Sequence, residues 1–190
     1  MKDVKFMKKY LEENLVKGRY LHTLGVVETA VKLAKIHGED VEKAEIAALS
    51  HDIAKNLSKE ELLKIIKENN ISLSFDEKNT KELWHSIVGP IVAKERFAID
   101  DIEILSAIRW HTTGKEDMSA LDKIIYLADL VEPSRNFPGV EELRQDCEEN
   151  LDIAMLNALT HTIKYLLEKG CLIDINTVKA RNYLLYTNDK

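Results

Sequence analysis

Apolar residues recur along this chain with the spacing of helices. Between residues 18 and 38, one side of a predicted helix carries Leu21, Leu24, Val27, Val31 and Ala34. Residues three or four positions apart share a helix face. No run alternates convincingly between apolar and polar residues, and the chain has only seven glycines and three prolines. The pattern therefore predicts an all-α protein in which about eight to ten helices form one bundle.

Several helix ends are marked by residues that suit a terminus. Asp40 can cap the third predicted helix, and Ser58 with Glu61 forms a capping box for the fourth. Three further expectations complete the map: a loop over 70–79, a kink or interruption at Gly89-Pro90, and only a short segment after Gly170.

Length, charge and cysteine content narrow the class of protein. The 190 residues fit a single domain over 1–190. With 27 basic and 33 acidic residues the net charge is −6, which argues against a nucleic-acid partner. No stretch approaches the roughly 20 apolar residues that a membrane span needs, and no leader segment is visible. Together with two cysteines that form no CxxC, these features favour a cytoplasmic protein.

Four histidines and two aspartates form an ordered series within about residues 18–131. Five predicted helices each contribute one or two members, with the adjacent histidine and aspartate placed late in the third. Every member borders an apolar stripe, and buried polar groups must be paired or bound to something. A metal in the bundle interior would satisfy all of them. The series consists of His22, His51, Asp52, His85, His111 and Asp129.

The donor types indicate which metals fit. Imidazole and carboxylate without thiolate suit Fe, Mn or Zn in a working site better than a structural zinc, which usually uses cysteine. Six ligands are too many for one closed tetrahedral site, and they suit two ions with open positions for water. Asp52 has two carboxylate oxygens, so it can bridge both ions.

A plainer interpretation stays open, because a His-Asp dipeptide arises often by chance. His85 and His111 each follow a tryptophan and can be buried structural residues. His37, beside the helix-ending Gly38, and His161 are assigned to no metal. A helical bundle with core histidines would bind no stoichiometric metal.

Cationic and hydroxyl side chains lie near these histidines in sequence. Lys55 follows His51 by four residues and so projects from the same helix face. Thr112 follows a histidine of the series and can donate to a phosphate. Arg19 and Arg135 add positive charge near the first and last members. This clustering predicts a phosphate-binding site.

The spaced histidines and aspartates resemble the HD-domain superfamily of metal-dependent phosphohydrolases, and within it the YqeK family of bacteria. The similarity covers nearly the whole chain. One segment departs from it: the family often has Ile-His-Pro where this chain has Ile173-Asp174-Ile175. The segments that carry the resemblance are RYLHTLGV (19–26), HDIAK (51–55), LWHSIVG (83–89), IRWHTTG (108–114), YLADLVEPSR (126–135) and TVKARNY (177–183).

The resemblance implies symmetrical cleavage of dinucleoside tetraphosphates, chiefly diadenosine tetraphosphate, at an iron-containing site. It places the principal ion on His22, His51, Asp52 and Asp129, and a second ion or a substrate phosphate on His85 and His111. It further implies nucleotide contacts from Arg19, Lys55, Thr112, Arg135 and the segment that contains Gly170, Cys171 and Ile173.

The expected mechanism is attack on phosphorus by a water that the metal has made acidic. Asp52 and Lys55 are the residues assigned a catalytic role, and a homodimer is left open. Two rival functions remain: the same chemistry on a different nucleotide, and a nucleotide-sensing module that uses its metal for structure.

Overall fold

The computed structural model describes residues 1–188, and every regular element in that part of the chain is helical. The all-α bundle predicted from the periodicity is confirmed. A single 3-10 turn, Lys81–Leu83, precedes α6. The helices are α1 (Val4–Asn14), α2 (Lys17–His37), α3 (Val41–Ser50), α4 (Lys59–Glu68), α5 (Phe75–Asn79), α6 (Trp84–Phe97), α7 (Ile102–Trp110), α8 (Ala120–Val131), α9 (Val140–Glu149), α10 (Leu151–Glu168) and α11 (Ile175–Asn188).

Helix α8 lies at the centre of the bundle. It contacts α2, α3, α7, α9 and α10, and most of its side chains are buried. Ile124, Ile125 and Leu127 are fully buried there, among Leu33 of α2 and Leu49 of α3. Burial of so much apolar surface is the main favourable term in folding. Helices α2, α3 and α7 therefore bring their parts of the ordered series to α8, which carries Asp129.

The capping signals appear in the structure where the sequence placed them. The Asp40 carboxylate accepts hydrogen bonds from the backbone N–H groups of Glu42 and Lys43, and Ser58 with Glu61 forms a complete capping box. Gly38 ends α2 with a φ of 73°, a left-handed conformation that costs glycine little.

Three local predictions were wrong. The 70–79 loop contains α5, because Ser74 and Glu77 form a second capping box. Helix α6 runs through Pro90 without interruption, and its buried flanking residues supply the packing that holds it. The chain after Gly170 contains a full helix, α11, which packs on α10. Arg181 Nε donates to the Thr160 hydroxyl between the two helices, and Ala180 and Leu184 are buried.

No helix within residues 1–188 combines the length and the apolar character that crossing a membrane requires. Both cysteines are free thiols: Cys147 is buried and Cys171 is exposed.

Candidate metal centre

Four histidine rings form a continuous row in the interior, which we call the histidine row: His22, His51, His111 and His85. Neighbouring ring centroids are 5.6, 5.1 and 5.2 Å apart in that order, each pair edge-to-face. The Asp52 carboxylate lies near every ring of the row. Oδ1 is 3.2 Å from His85 Nε2 and 3.6 Å from His111 Nε2, and Oδ2 is 3.5 Å from His51 Nε2 and 4.0 Å from His22 Nε2. Asp129, the sixth residue of the ordered series, lies at the His22 end of the row, where its Oδ1 is 3.0 Å from His22 Nε2.

Three of these residues lie just beyond a helix end rather than inside the predicted helix. Helix α3 ends at Ser50, so His51 and Asp52 lie in the turn that follows it rather than inside the helix. His111 is likewise the first residue after α7. Placement just beyond a helix end lets a side chain reach inward without following the helix face. His22, His85 and Asp129 lie on α2, α6 and α8 as expected.

Each histidine of the row is held by its Nδ1 atom. The rings of His51, His85 and His111 lie 2.6, 2.7 and 2.8 Å from backbone carbonyl oxygens three residues earlier. His22 Nδ1 lies 3.0 Å from Glu132 Oε1. A carbonyl or carboxylate can only accept, so Nδ1 carries the proton in all four rings. When the ring is neutral, its Nε2 presents a lone pair to the interior, as a metal ligand does.

Three of the interior donor atoms lack a hydrogen-bond partner in the described part of the chain. His22 Nε2, His51 Nε2 and Asp52 Oδ1 are buried without a hydrogen-bond partner among residues 1–188. The Nε2 atoms of His85 and His111 lie 3.2 Å apart, and neither holds the proton that would join them. Such groups are costly to bury unless something binds them. The donor set therefore fits a cation.

Two sets of three donors have ligand atoms within 4.8 Å of one another. One contains His22, His51 and Asp129, and the other His51, Asp52 and His111. The two sets share His51, so the cluster could hold a metal ion in either set, with His51 as a ligand common to both. His85 lies outside both sets.

Electrostatics keep the carboxylates charged and one imidazole neutral. Burial opposes the ionised form of Asp52, but His51 and the other nearby histidines hold its pKa well below the usual range. The pKa of Asp129 is lowered in the same way, against burial, chiefly by His22 and His51. Burial lowers the pKa of His85 to about 4, so its ring is neutral near pH 7. The ionised carboxylates and the neutral His85 ring suit cation binding. Asp52 raises the pKa of His51 against the effect of burial, so a metal that binds His51 displaces the proton that Asp52 would otherwise stabilise there.

The predicted cationic residues surround the centre. Arg19 Nη1 donates to Asp52 Oδ2 at 2.7 Å, and Arg135 Nη2 donates to Asp129 Oδ1 at 2.6 Å. Lys55 Nζ lies 3.1 Å from His85 Nε2 and 3.9 Å from Asp52 Oδ1. All three therefore lie within reach of an anion at the centre.

A cavity of about 440 Å³ opens beside His85, and we call it the lysine-side cavity. Lys55 and Thr112 line it, as expected for substrate contacts, and Leu172 adds an apolar wall. Of the residues predicted to contact the nucleotide near the C-terminus, Cys171 lines this cavity, whereas Gly170 and Ile173 are not among its lining residues within 1–188. Gly170 instead has a φ of 62° and follows the end of α10.

The two remaining histidines lie outside the row. His37 Nε2 is 2.7 Å from the backbone oxygen of Cys147. The ring of His161 packs on Phe137. Neither belongs to a potential ligand set in the described residues.

Glu132 was not singled out from the sequence. Its carboxylate is 2% exposed, contacts His22 Nδ1, and accepts hydrogen bonds from the backbone N–H and hydroxyl of Ser134. Gly25 of α2 makes room for it, because a Cβ there would lie 2.7 Å from Glu132 Oε2. The sequence signal that could have identified Glu132 is its position three residues after Asp129, about one helical turn further along the chain.

We expect Glu132→Gln to weaken metal binding by about tenfold, because a carboxylate that accepts from a ligand histidine fixes its tautomer and raises its basicity. The measurement is metal content and affinity, by titration of the metal-free protein. Glu142→Gln, at an exposed site on α9, is the matched control. Equal affinity in both variants would show that Glu132 has no influence on the metal.

A family model described as HD domain matches residues 19–134, and the chain belongs to the HD domain family. Two curated relatives that match nearly the whole chain carry the same name. A Halalkalibacterium halodurans protein named "Bis(5'-nucleosyl)-tetraphosphatase, symmetrical" is 43% identical over 92% of this chain and 93% of its own length. A Bacillus subtilis protein of the same name is 39% identical over 92% and 94%.

A solved structure is also similar, with a TM-score of 0.95, 44% identity, and coverage of 98% of this chain and 99% of the other. It is the crystal structure of a Clostridium acetobutylicum protein described as a predicted HD superfamily hydrolase involved in NAD metabolism. The resemblance found in the sequence is thereby confirmed at the level of the family and of the fold.

Proposed function

We propose that this protein is a metal-dependent hydrolase that cleaves dinucleoside tetraphosphates, chiefly diadenosine tetraphosphate, symmetrically into two nucleoside diphosphates. The observation that carries the proposal is the buried cluster in which His22 Nε2, His51 Nε2 and Asp52 Oδ1 lie without hydrogen-bond partners among the described residues, beside cationic side chains. The names of relatives that match nearly the full chain support the choice of substrate.

The reaction divides the tetraphosphate at its midpoint. The oxygen of water bonds to one of the two inner phosphorus atoms, and the bond from that atom to the central bridging oxygen breaks. The bridging oxygen leaves with the second nucleoside diphosphate, and the proton of water passes to solvent. A diphosphate leaves without full protonation, so no general acid is required.

Divalent metal at the cluster would supply Lewis-acid chemistry, making water a better nucleophile and offsetting charge on phosphoryl oxygens. The chain's own groups do the rest. Lys55, part-buried beside the centre, offsets charge on the phosphoryl group in transfer. Arg135 and Arg19 offset charge on the departing diphosphate, and Asp52 orients the reacting groups.

Iron is the metal we propose, held chiefly by His22, His51, Asp52 and Asp129, with Mn and Zn as the alternatives. Nitrogen and oxygen donors without thiolate support these three over softer metals. His85 and His111 would hold a second ion or meet a phosphate. We also propose that residues 1–190 act as one domain with the metal-site core within 18–131, which the match over 19–134 supports.

The test combines metal analysis with product identification. Protein purified without oxygen should contain iron, and incubation with diadenosine tetraphosphate should release ADP alone. ATP plus AMP as products, or no turnover with any of the three metals, would contradict the proposal. A panel with a nucleoside monophosphate, a cyclic dinucleotide and NAD compares the other nucleotide classes, and ligand binding without ADP release would favour a sensor.

A further inference from the structure

The histidine row has a cavity at each of its ends. His85, the last ring of the row, lines the lysine-side cavity. His22, the first ring, lines a second cavity of about 480 Å³ together with Arg19 and Arg135, and we call it the arginine-side cavity. The unpartnered atoms His51 Nε2 and Asp52 Oδ1 belong to residues that line neither cavity and lie inside the row.

The proposed substrate has matching symmetry. A dinucleoside tetraphosphate consists of two identical nucleoside diphosphate halves joined at the bond that breaks. When that bond lies at the centre of the histidine row, the halves extend in different directions, and each nucleoside needs its own place. The lysine-side cavity accounts for only one of them.

We propose, resting on the function proposed above, that the arginine-side cavity is a second nucleotide subsite in which Phe137 stacks against the base of one nucleoside diphosphate half. The chemistry of the cavity wall fits this ligand in two respects, one for the phosphates and one for the base.

The arginines suit the phosphates. Arg19 and Arg135 each donate from one terminal nitrogen to an aspartate of the centre, and Arg135 Nε also donates to the backbone oxygen of Asp129. A guanidinium has five N–H donors in a planar fork. The remaining donors can pair with phosphate oxygens, which arginine recognises in bidentate fashion. Both side chains are about one-third exposed, so a ligand can reach them.

The aromatic wall suits the base. Phe137 is half-buried and lines the cavity, while its ring is braced by His161 at a centroid distance of 4.6 Å and an interplanar angle of 32°. Flat aromatic side chains stack on any nucleobase. The exposed amide of Asn136 lies next to it in the same lining and can bond to a base edge.

The direct test is the number of ADP molecules that the metal-loaded protein binds. Titration calorimetry should give two sites per chain. Phe137→Ala should weaken one site by about tenfold, the usual scale of a base stacked on an aromatic side chain, and leave the other. Leu172→Ala, in the lysine-side cavity, should weaken the other site instead. The control is Phe6→Ala on α1, where the ring contacts Phe97 and both ADP sites should remain.

Two results overturn the subsite: a single ADP per wild-type chain, or two sites that Phe137→Ala leaves unchanged. Kinetics supply a second readout. Phe137→Ala should lower kcat/KM more for diadenosine tetraphosphate than for adenosine 5'-tetraphosphate, which lacks the second nucleoside, and equal losses count against the subsite. Failure of the wild type to cleave either compound overturns the proposed function instead, and the ADP stoichiometry still decides the subsite.

Discussion

Replacing Asp52 by alanine is expected to reduce hydrolysis of diadenosine tetraphosphate by about a thousandfold or more and to lower the metal content. The carboxylate is 2% exposed and lies within 4.0 Å of a nitrogen atom in every ring of the histidine row. Metal-ion catalysis contributes several kcal/mol, and each 1.4 kcal/mol is a tenfold change in rate. His51→Ala should behave similarly, since His51 belongs to both ligand sets.

The loss of hydrolysis should arise from the missing carboxylate at the metal centre and not from unfolding of the protein. Asp52→Asn keeps the size of the side chain but removes its charge and replaces one acceptor oxygen by an NH₂ donor. It should be equally inactive while retaining the helical circular dichroism spectrum and a cooperative melt. Asp100→Ala removes an exposed carboxylate that pairs with Lys94 and serves as the control. Full activity in either Asp52 variant would remove Asp52 from the mechanism.

The site residues could be predicted from the sequence because titratable side chains recur there next to apolar positions. Buried titratable residues such as His51 and Asp52 have no simple structural role, so their recurrence beside apolar stripes predicted convergence. The structure adds what spacing does not encode. The tautomer of each ring depends on a backbone carbonyl or on Glu132, and the burial of Glu132 depends on the missing side chain of Gly25.

The missed helices have a similar explanation. Helix α11 buries only a few side chains, such as Ala180 and Leu184, so its apolar stripe is sparse, and its place is set by packing on α10. The short helix α5 depends on its capping box and on a hydrogen bond from Trp84 Nε1 to the backbone oxygen of Glu77 at 2.7 Å. Tertiary contacts of this kind outweigh local propensity.

Replacing Lys55 by alanine is expected to lower kcat about a hundredfold, which is the usual scale for one preorganised group that offsets charge in a transition state. Its ammonium lies at the boundary between the lysine-side cavity and the metal centre. Metal content should stay at the wild-type level, because a protonated lysine has no lone pair to offer a metal. Lys64→Ala, at an exposed position on α4, is the control.

The pH profile separates a charge role for Lys55 from a structural one. Burial lowers the pKa of Lys55, and the neighbouring arginines add to that effect although Asp52 opposes it. The ammonium therefore loses its proton at a lower pH than an ordinary lysine, and kcat should fall as the pH rises through that range. Lys55→Arg should retain much of the activity and move this decline to higher pH, because a guanidinium stays protonated. A decline at the same pH in both proteins would assign it to another group.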